Sequence, residues 1–178
     1  QSAGFTHWAK LNNLKQAAKT MNFLTEHGIS SYGELESKLT AVSARRDTAH
    51  AEIKRIESRS AELALVMKHA GTYRQLKPLY ERYRKSNDKE KFLRGHESEI
   101  ILFEATAREL KRLGAVPLPT TESMKTELAN LNAEKERLLA EYKAARTEAQ
   151  EYDTVKQNVD ALLAVPKEQE QQRRHELE

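Results

Sequence analysis

Cysteine is absent from the 178 residues, so the chain can form neither a disulfide nor a thiolate metal site. No apolar run approaches the ~20 residues that a membrane-spanning helix needs, and the N-terminus lacks the apolar stretch of a signal peptide. We therefore expect a cytoplasmic protein that does not contact a membrane. Because the sequence begins with Gln1 rather than Met, we also expect an excised fragment or a processed product.

Apolar residues are scarce. They make up 38% of the chain, below the ~45–50% that is typical of globular domains, whereas charged residues reach 32%. This composition favours narrow apolar seams between helices over a compact core of ordinary size.

Catalytic and metal-binding patterns are missing. Any two of the six histidines are at least nineteen residues apart, and the sequence contains no glycine-rich phosphate loop and no nucleophile elbow. His96 and Glu99 could meet on a helix, as could Asp47 and His50, but such pairs are usually surface polar pairs. We predict no catalytic residue, no metal, no cofactor and no enzymatic activity of this chain by itself.

The N-terminal part of the chain, residues 1–28, predicts one helix over about 5–26. Its apolar residues recur at three- and four-residue steps on one face. Gly28 supplies the stop, and Ser31 with Glu34 forms a capping box that opens a second helix. The apolar positions of the first helix are Phe5, Trp8, Leu11, Leu14, Ala18, Met21 and Leu24.

Two long heptad seams follow. The first alternates steps of four and three through Leu35, Leu39, Val42, Arg46, Ala49, Ile53, Ile56, Ser60, Leu63, Met67 and Ala70. The second runs through Met124, Leu128, Leu131, Lys135, Leu138, Tyr142, Ala145, Ala149, Tyr152, Val155, Val159 and Leu162. Arg46 and Lys135 can carry their charges outward while their stems cover apolar surface.

Prolines predict the ends of these helices. Pro78 removes a backbone donor, so we expect a kink or break between Gly71 and Pro78, followed by a short helix over about 78–86. A third helix, about 89–113, is capped by Asn87 or Asp88 and ended by Gly114. Its predicted buried face is Phe92, Leu93, Ile100, Phe103, Ala107 and Leu110. Thr120 or Thr121 caps the fourth helix, and Pro166 ends it.

The fold class follows from the matched seams. We predict an all-α protein whose residues 31–165 form an elongated antiparallel coiled-coil hairpin with arms at about 34–76 and 121–163. Residues 71–120 form a small helical head, and residues 166–178 form a polar tail that is either frayed or an extension toward a missing part. The same seams would be satisfied by pairing between two chains, so a homodimer stays open.

Charge is segregated along the chain. Residues 1–25 carry Lys10, Lys15 and Lys19 without an acidic residue, and residues 68–94 carry nine Lys and Arg against three acidic residues. Since the whole chain has a net charge of +3, the remaining residues form an acidic frame. This distribution of charge bears on the partners that the chain binds rather than on its fold.

The predicted head combines cations with aromatic rings, a mixture that can bind phosphates and stack bases. The candidate nucleic-acid-binding residues are Arg74, Lys77, Arg82, Arg84, Lys85, Lys89, Lys91, Arg94, Tyr80 and Tyr83. The alternative from spacing alone is that Tyr80, Tyr83 and Phe92 pack the head while the charges only solvate its surface.

Several segments resemble the C-terminal region of relaxases, the mobilisation nucleases of plasmids and integrative elements in Gram-positive bacteria. These are the Pro78-Leu79-Tyr80 turn with Tyr83, the KEKF step at 89–92, the HESEIILF run at 96–103 and the LPT connection at 118–120. The opening SAGFTHWAKLNNLKQAAKTMNFLTEHGI is similar to the segment that follows the catalytic domain of that family. The chain departs from the family in lacking its histidine cluster, and no tyrosine here matches its nucleophile.

The resemblance implies an accessory, non-catalytic helical domain that binds DNA near the origin of transfer or organises the proteins assembled there. The parent protein would then be a DNA nickase. The alternative is a coiled-coil spacer or protein-interaction module that docks an auxiliary mobilisation or coupling protein, or a second copy, without binding DNA.

Overall fold

Four α-helices and no strand occur in the described part of the chain. A computed structural model describes the backbone of residues 3–175 and the side chains of residues 12–164. The helices are α1 (Ala3–Glu26), α2 (Tyr32–Lys85), α3 (Lys89–Arg112) and α4 (Thr121–His175), which confirms the all-α prediction. Within residues 3–175 no helix is long and apolar enough to cross a bilayer.

Glycines end α1 and α3, as predicted. Gly28 and Gly114 have φ angles of 61° and 68°, the left-handed conformation that glycine adopts without a Cβ clash. The residue after each glycine closes the helix end: the Ile29 amide donates to the Leu24 carbonyl at 2.8 Å, and the Ala115 amide donates to the Leu110 carbonyl at 2.9 Å. Both short connections therefore begin with a defined turn.

Polar side chains cap the starts of three helices. The Asp88 carboxylate accepts from the Lys91 amide at 2.9 Å, and the Thr120 hydroxyl accepts from the Ser123 amide at 3.1 Å. At α2 the Ser31 hydroxyl accepts from the Glu34 amide at 3.2 Å. The Glu34 carboxylate reaches back one residue further than the capping-box prediction, since it accepts from the amide and the hydroxyl of Ser30 at 2.7 and 2.9 Å.

Of the kink or break predicted between Gly71 and Pro78, the break is wrong. Helix α2 continues through Pro78 to Lys85 as one element, so there is no separate helix at 78–86. Pro78 and Arg74 are both exposed, so water can replace the donor that the Arg74 carbonyl loses. An unbroken helix also keeps Tyr73 and Tyr80 two turns apart on one face, where both stack on Phe103.

The predicted end of the fourth helix at Pro166 also differs from the structure. The backbone of α4 is helical to His175, which includes most of the segment expected to be frayed. The sequence after Pro166 is rich in Lys, Glu, Gln and Arg, all strong helix formers, and this composition offsets the one backbone hydrogen bond that a proline removes. Residues 176–178 lie outside the described part of the chain.

The chain divides into two compact units. Unit 1 comprises residues 1–50 and 139–178, and unit 2 comprises residues 51–138. Helices α2 and α4 contribute to both.

In unit 1, α2 and α4 are antiparallel. The Tyr32 hydroxyl donates to the Asp160 carboxylate at 2.6 Å, and further along α2 the ring of His50 lies 5.6 Å from that of Tyr142. Arg45 forms an ion pair with Glu148 between these two contacts. The residue number of the contact on α4 falls as the residue number on α2 rises. This is the antiparallel pairing that the seams predicted, and it is made here within one chain.

The core of unit 1 joins α1 to this pair. Its buried residues are Ile29, Leu35, Val42, Ala149, Tyr152 and Val155, with Phe23, Leu24, Leu39 and Val159 packed against them. Phe23 meets Tyr152 edge to face, with ring centroids 5.2 Å apart.

The predicted apolar face of α1 is mostly turned to solvent. Leu14, Ala18 and Met21 are exposed, and only Leu24 of the four described positions is half-buried. Thr20 and Phe23 face α4 instead, and the Asn158 amide donates to the Thr20 hydroxyl at 3.2 Å. The remaining predicted positions, Phe5, Trp8 and Leu11, lie outside the described side chains.

Unit 2 packs α3 and the start of α4 on the second part of α2. The buried residues are Leu63, Val66, Ala70, Leu110, Ala115 and Met124. Ion pairs flank this core, since Lys135 contacts Glu57 at 2.9 Å and Arg59 contacts Glu127 at 2.7 Å. Lys135, a polar interruption of the predicted seam, therefore carries its charge to the edge of the helix pair, as predicted.

Candidate nucleic-acid interface

Arg74 is the first of the predicted binding residues, and it has a structural partner. Its guanidinium donates to the carbonyl of Pro119 at 2.6 Å and to the hydroxyl of Thr121 at 2.8 Å. The two bonds fasten α2 to the connection that precedes α4 and to the first residue of α4. Two N–H donors of the guanidinium are therefore already used within the protein, which leaves fewer for a phosphate.

Six other predicted cations form what we call the basic surface. All are exposed and, among the described residues, none of the six forms an ion pair: Lys77, Arg82, Arg84, Lys85, Lys89 and Lys91. The first four lie near the end of α2, and the last two lie in the first turn of α3. Only three residues, 86–88, separate the two groups, so both lie at one corner of unit 2.

The corner itself is ordered by hydrogen bonds. The Ser86 hydroxyl donates to the Asp88 carbonyl at 3.1 Å and accepts from the Asp88 amide at 3.3 Å. Because the Asp88 carboxylate caps α3, it is directed to the backbone of Lys91 rather than to a cation. The turn thus fixes where α3 begins relative to the last residues of α2.

Acidic residues near the basic surface neutralise little of it. Glu90 pairs with Arg94 at 3.7 Å, which places the predicted residue Arg94 in an ion pair of its own. Glu81 is exposed on α2 between Lys77 and Lys85. Asp88, which caps α3, is the other carboxylate at the corner, so six unpaired cations face two carboxylates and positive charge remains in excess.

The tyrosines predicted to stack on bases are packed inside the corner. The Tyr80 ring stacks on Phe103 with centroids 4.2 Å apart, and its hydroxyl donates to the Glu104 carboxylate at 3.4 Å. Burial, reinforced by the Glu104 charge, raises the pKa of the Tyr80 phenol above its ordinary value. Tyr83 lies between Tyr80 and Phe92, with centroids 6.0 and 6.1 Å away, and both tyrosines are half-buried.

Helix α3 bends just after the cations of its first two turns. His96 has a non-helical backbone (φ −143°, ψ 25°), so the turns that carry Lys89 and Lys91 precede a kink. The His96 ring contacts Phe92 at 4.9 Å, and its Nδ1 atom lies 3.6 Å from the Glu99 carboxylate. The sequence showed the His96 and Glu99 spacing but gave no signal for the kink.

The structure therefore divides the ten predicted residues into two groups. Six are free on the surface, whereas Arg74, Arg94, Tyr80 and Tyr83 contact other parts of unit 2. The role of Arg74 could not be read from spacing, because its partners lie on a connection 45 or more residues away in sequence.

A groove in unit 1 has no counterpart in the sequence analysis. Its volume is about 770 Å³, and it lies between α1 and α4. Amide and hydroxyl side chains dominate its walls, with Lys15 and Lys19 opposite Glu151. The Gln16 amide donates to the Asn158 side-chain oxygen at 2.6 Å across its edge. With cations and a carboxylate together, the groove lacks the single-sign charge of the basic surface.

No group of three or more His, Asp or Glu side chains that could hold a metal ion occurs among the described residues. Comparison with models of protein families, with curated proteins and with solved structures finds no match for this chain.

Proposed function

We propose that this chain is an accessory, non-catalytic domain that holds DNA through the basic surface. The observation that carries the proposal is the set of six exposed cations at one ordered corner, none paired with a carboxylate among the described residues. Lysine and arginine side chains bind phosphates and release counterions from the nucleic acid, which supplies affinity without base recognition.

The biological setting comes from the resemblance to relaxase C-terminal regions, most of whose segments lie in unit 2. In this proposal the domain belongs to a mobilisation nickase and holds DNA near the origin of transfer, while another part of the parent protein performs the strand cleavage. Auxiliary mobilisation or coupling proteins are then partners of the same assembly.

The test uses a hairpin oligonucleotide with a duplex stem and a single-stranded tail, so that the result does not depend on strand preference. Fluorescence anisotropy measures the affinity between about 50 and 200 mM salt, where six phosphate contacts predict a slope of log affinity on log salt of about −4 to −5. Binding that is undetectable at the lowest salt, or insensitive to salt, contradicts the proposal.

A matched pair of variants locates the site. Replacing Arg82, Arg84, Lys89 and Lys91 by Gln should weaken binding by more than about tenfold and flatten the salt slope. Replacing the exposed residues Lys38, Lys125, Lys143 and Arg146 by Gln removes the same charge elsewhere, and affinity should stay within about threefold. Equal losses in both variants would mean that net charge, rather than the basic surface, binds DNA.

A protein-interaction module is the second candidate, favoured by the solvent-facing apolar residues of α1. Leu14 and Met21 are 70% and 59% exposed and lie two turns apart on one face. Light scattering tests self-association directly: a monomer at all concentrations removes the homodimer from consideration, and association that Leu14→Glu with Met21→Glu abolishes would support it.

A further inference from the structure

The rings beneath the basic surface form a continuous row. Tyr73 and Tyr80 both stack on Phe103, at 4.9 and 4.2 Å, and the row continues through Tyr83 to Phe92. Proteins that bind single strands usually combine cations with aromatic side chains on which successive bases stack. Here these aromatic side chains already use their ring contacts to hold α3 on α2.

The cations of α2 lie at exposed positions. Arg82 and Lys85 are on the side of the helix away from the half-buried Tyr80 and Tyr83, whereas Arg84 follows Tyr80 by one turn and lies at the flank of that face. The basic surface therefore consists of exposed positions on two helices. A single strand is typically tracked by a positively charged groove, whereas long cationic side chains at exposed helix positions can reach the rigid backbone of a duplex.

Charge density favours the same ligand. The stretch from Lys77 to Lys85 covers about 12 Å of helix at 1.5 Å per residue. Over that distance a duplex presents about seven phosphate charges, and one of its strands presents about half as many. Without a stacking contribution, the ligand of higher charge density should bind more tightly.

We propose that the basic surface is specific for double-stranded over single-stranded DNA, and that it contacts phosphates alone. This inference rests on the proposed function, because it names the form of DNA that the same six cations bind. Base stacking and sequence recognition have no part in it.

The experiment compares a blunt duplex with a single strand of the same length and sequence. If each ligand makes six contacts, the slope of log affinity on log salt is about −5 for the duplex and about −4 for the single strand. Affinities that converge at 1 M salt would then differ by about tenfold at 0.1 M in favour of the duplex. Changing the duplex sequence at constant length should leave the affinity unaltered.

The variant Tyr83→Leu separates stacking from packing, since leucine keeps apolar contact with Phe92 but offers no ring. Its affinity for the single strand should equal that of the parent chain, whereas a stacked base would make it fall by about tenfold or more. Circular dichroism shows whether the variant is folded. If it is not, Tyr83→Met, which keeps apolar contact without a ring, is compared with Tyr83→Phe, which keeps the ring.

The outcomes distinguish the two proposals. Equal or tighter binding of the single strand, or a loss of single-strand affinity on removing the Tyr83 ring, overturns the duplex inference and leaves the proposed function standing. Failure to bind the duplex, the single strand and the hairpin oligonucleotide overturns both.

Discussion

The rings of Tyr80 and Phe103 stack with centroids 4.2 Å apart and planes inclined by 25°. This contact joins the end of α2 to the middle of α3, directly beneath the basic surface. It explains how a chain with few apolar residues can hold a small helical corner in a defined shape.

We expect Phe103→Ala to destabilise unit 2 by about 3–5 kcal/mol, because the ring is buried and two tyrosines lose their stacking partner. Urea unfolding followed by circular dichroism measures the effect. Leu102→Ala is the matched control: Leu102 is half exposed on the same helix, and its loss should change stability by less than about 0.5 kcal/mol. Equal effects of the two substitutions would show that the Phe103 contacts do not form in solution.

Arg74 and Arg84 lie ten residues apart on α2, and their substitution should affect different properties: Arg74 the stability of the fold, and Arg84 the affinity for DNA. Arg74→Met removes two hydrogen bonds to the connection before α4, which predicts a loss of about 1–2 kcal/mol in the free energy of unfolding and little change in DNA affinity. Arg84→Met should leave stability nearly unchanged and reduce the salt slope by about one. Thermal melts and anisotropy on the two variants measure both quantities, and the reverse pattern would show that Arg74 is a binding residue.

Pro78→Ala should raise stability by about 1–3 kcal/mol, because alanine restores the amide donor inside a continuous helix. Gln75→Ala, at another exposed position in the same turn, should have an effect near zero. If α2 were broken at Pro78 in solution, the alanine substitution would give no gain. Affinity for DNA should be the same in all three proteins.

The stability of the fold should depend on pH through the Glu57 carboxylate. Hydrogen bonds from Lys135 and Lys54 hold its pKa below the ordinary value of 4.5. A carboxyl group with a lowered folded-state pKa stabilises the fold above that ordinary value, and the stabilisation is lost as pH falls through the lowered pKa. The chain should therefore be more stable than Glu57→Gln at neutral pH, and the difference should vanish in strong acid.

Much of this architecture was predictable because it depends on local periodicity. The seam positions Leu35, Val42, Ala49, Ile53 and Ile56 are all buried, since a four–three spacing places side chains on one stripe whatever the rest of the chain does. The glycine stops and the caps at Asp88 and Thr120 are equally local.

The errors at Pro78 and on α1 lie where distant contacts outweigh a local preference, whereas at Pro166 a local run of strong helix formers outweighs the proline. The cost of Pro78 is offset by ring stacking on Phe103, a residue 25 positions away that spacing alone could not identify as its support. On α1, the apolar residues Leu14 and Met21 are exposed, whereas Thr20 faces α4 and accepts a hydrogen bond from Asn158. Apolar spacing on α1 therefore did not identify the face that packs against α4.

For the candidate site, the sequence identified the cations but not which of them are exposed and unpaired. Exposure and pairing decide which cations are available, and both depend on where carboxylates and carbonyls from other segments lie, as Arg74 and Arg94 illustrate. The division of the tyrosines between packing and ligand contact was left open by spacing, because the Phe103 ring on which Tyr80 stacks lies on another helix.

The ordered turn at Ser86 and Asp88 has a thermodynamic consequence for binding. Because the turn and the rings beneath it fix the backbone on both sides of the corner, the proposed binding of DNA should need no coupled folding and should order only side-chain rotamers. Calorimetry should then show a heat-capacity change near zero, with the favourable entropy of released counterions as the driving contribution.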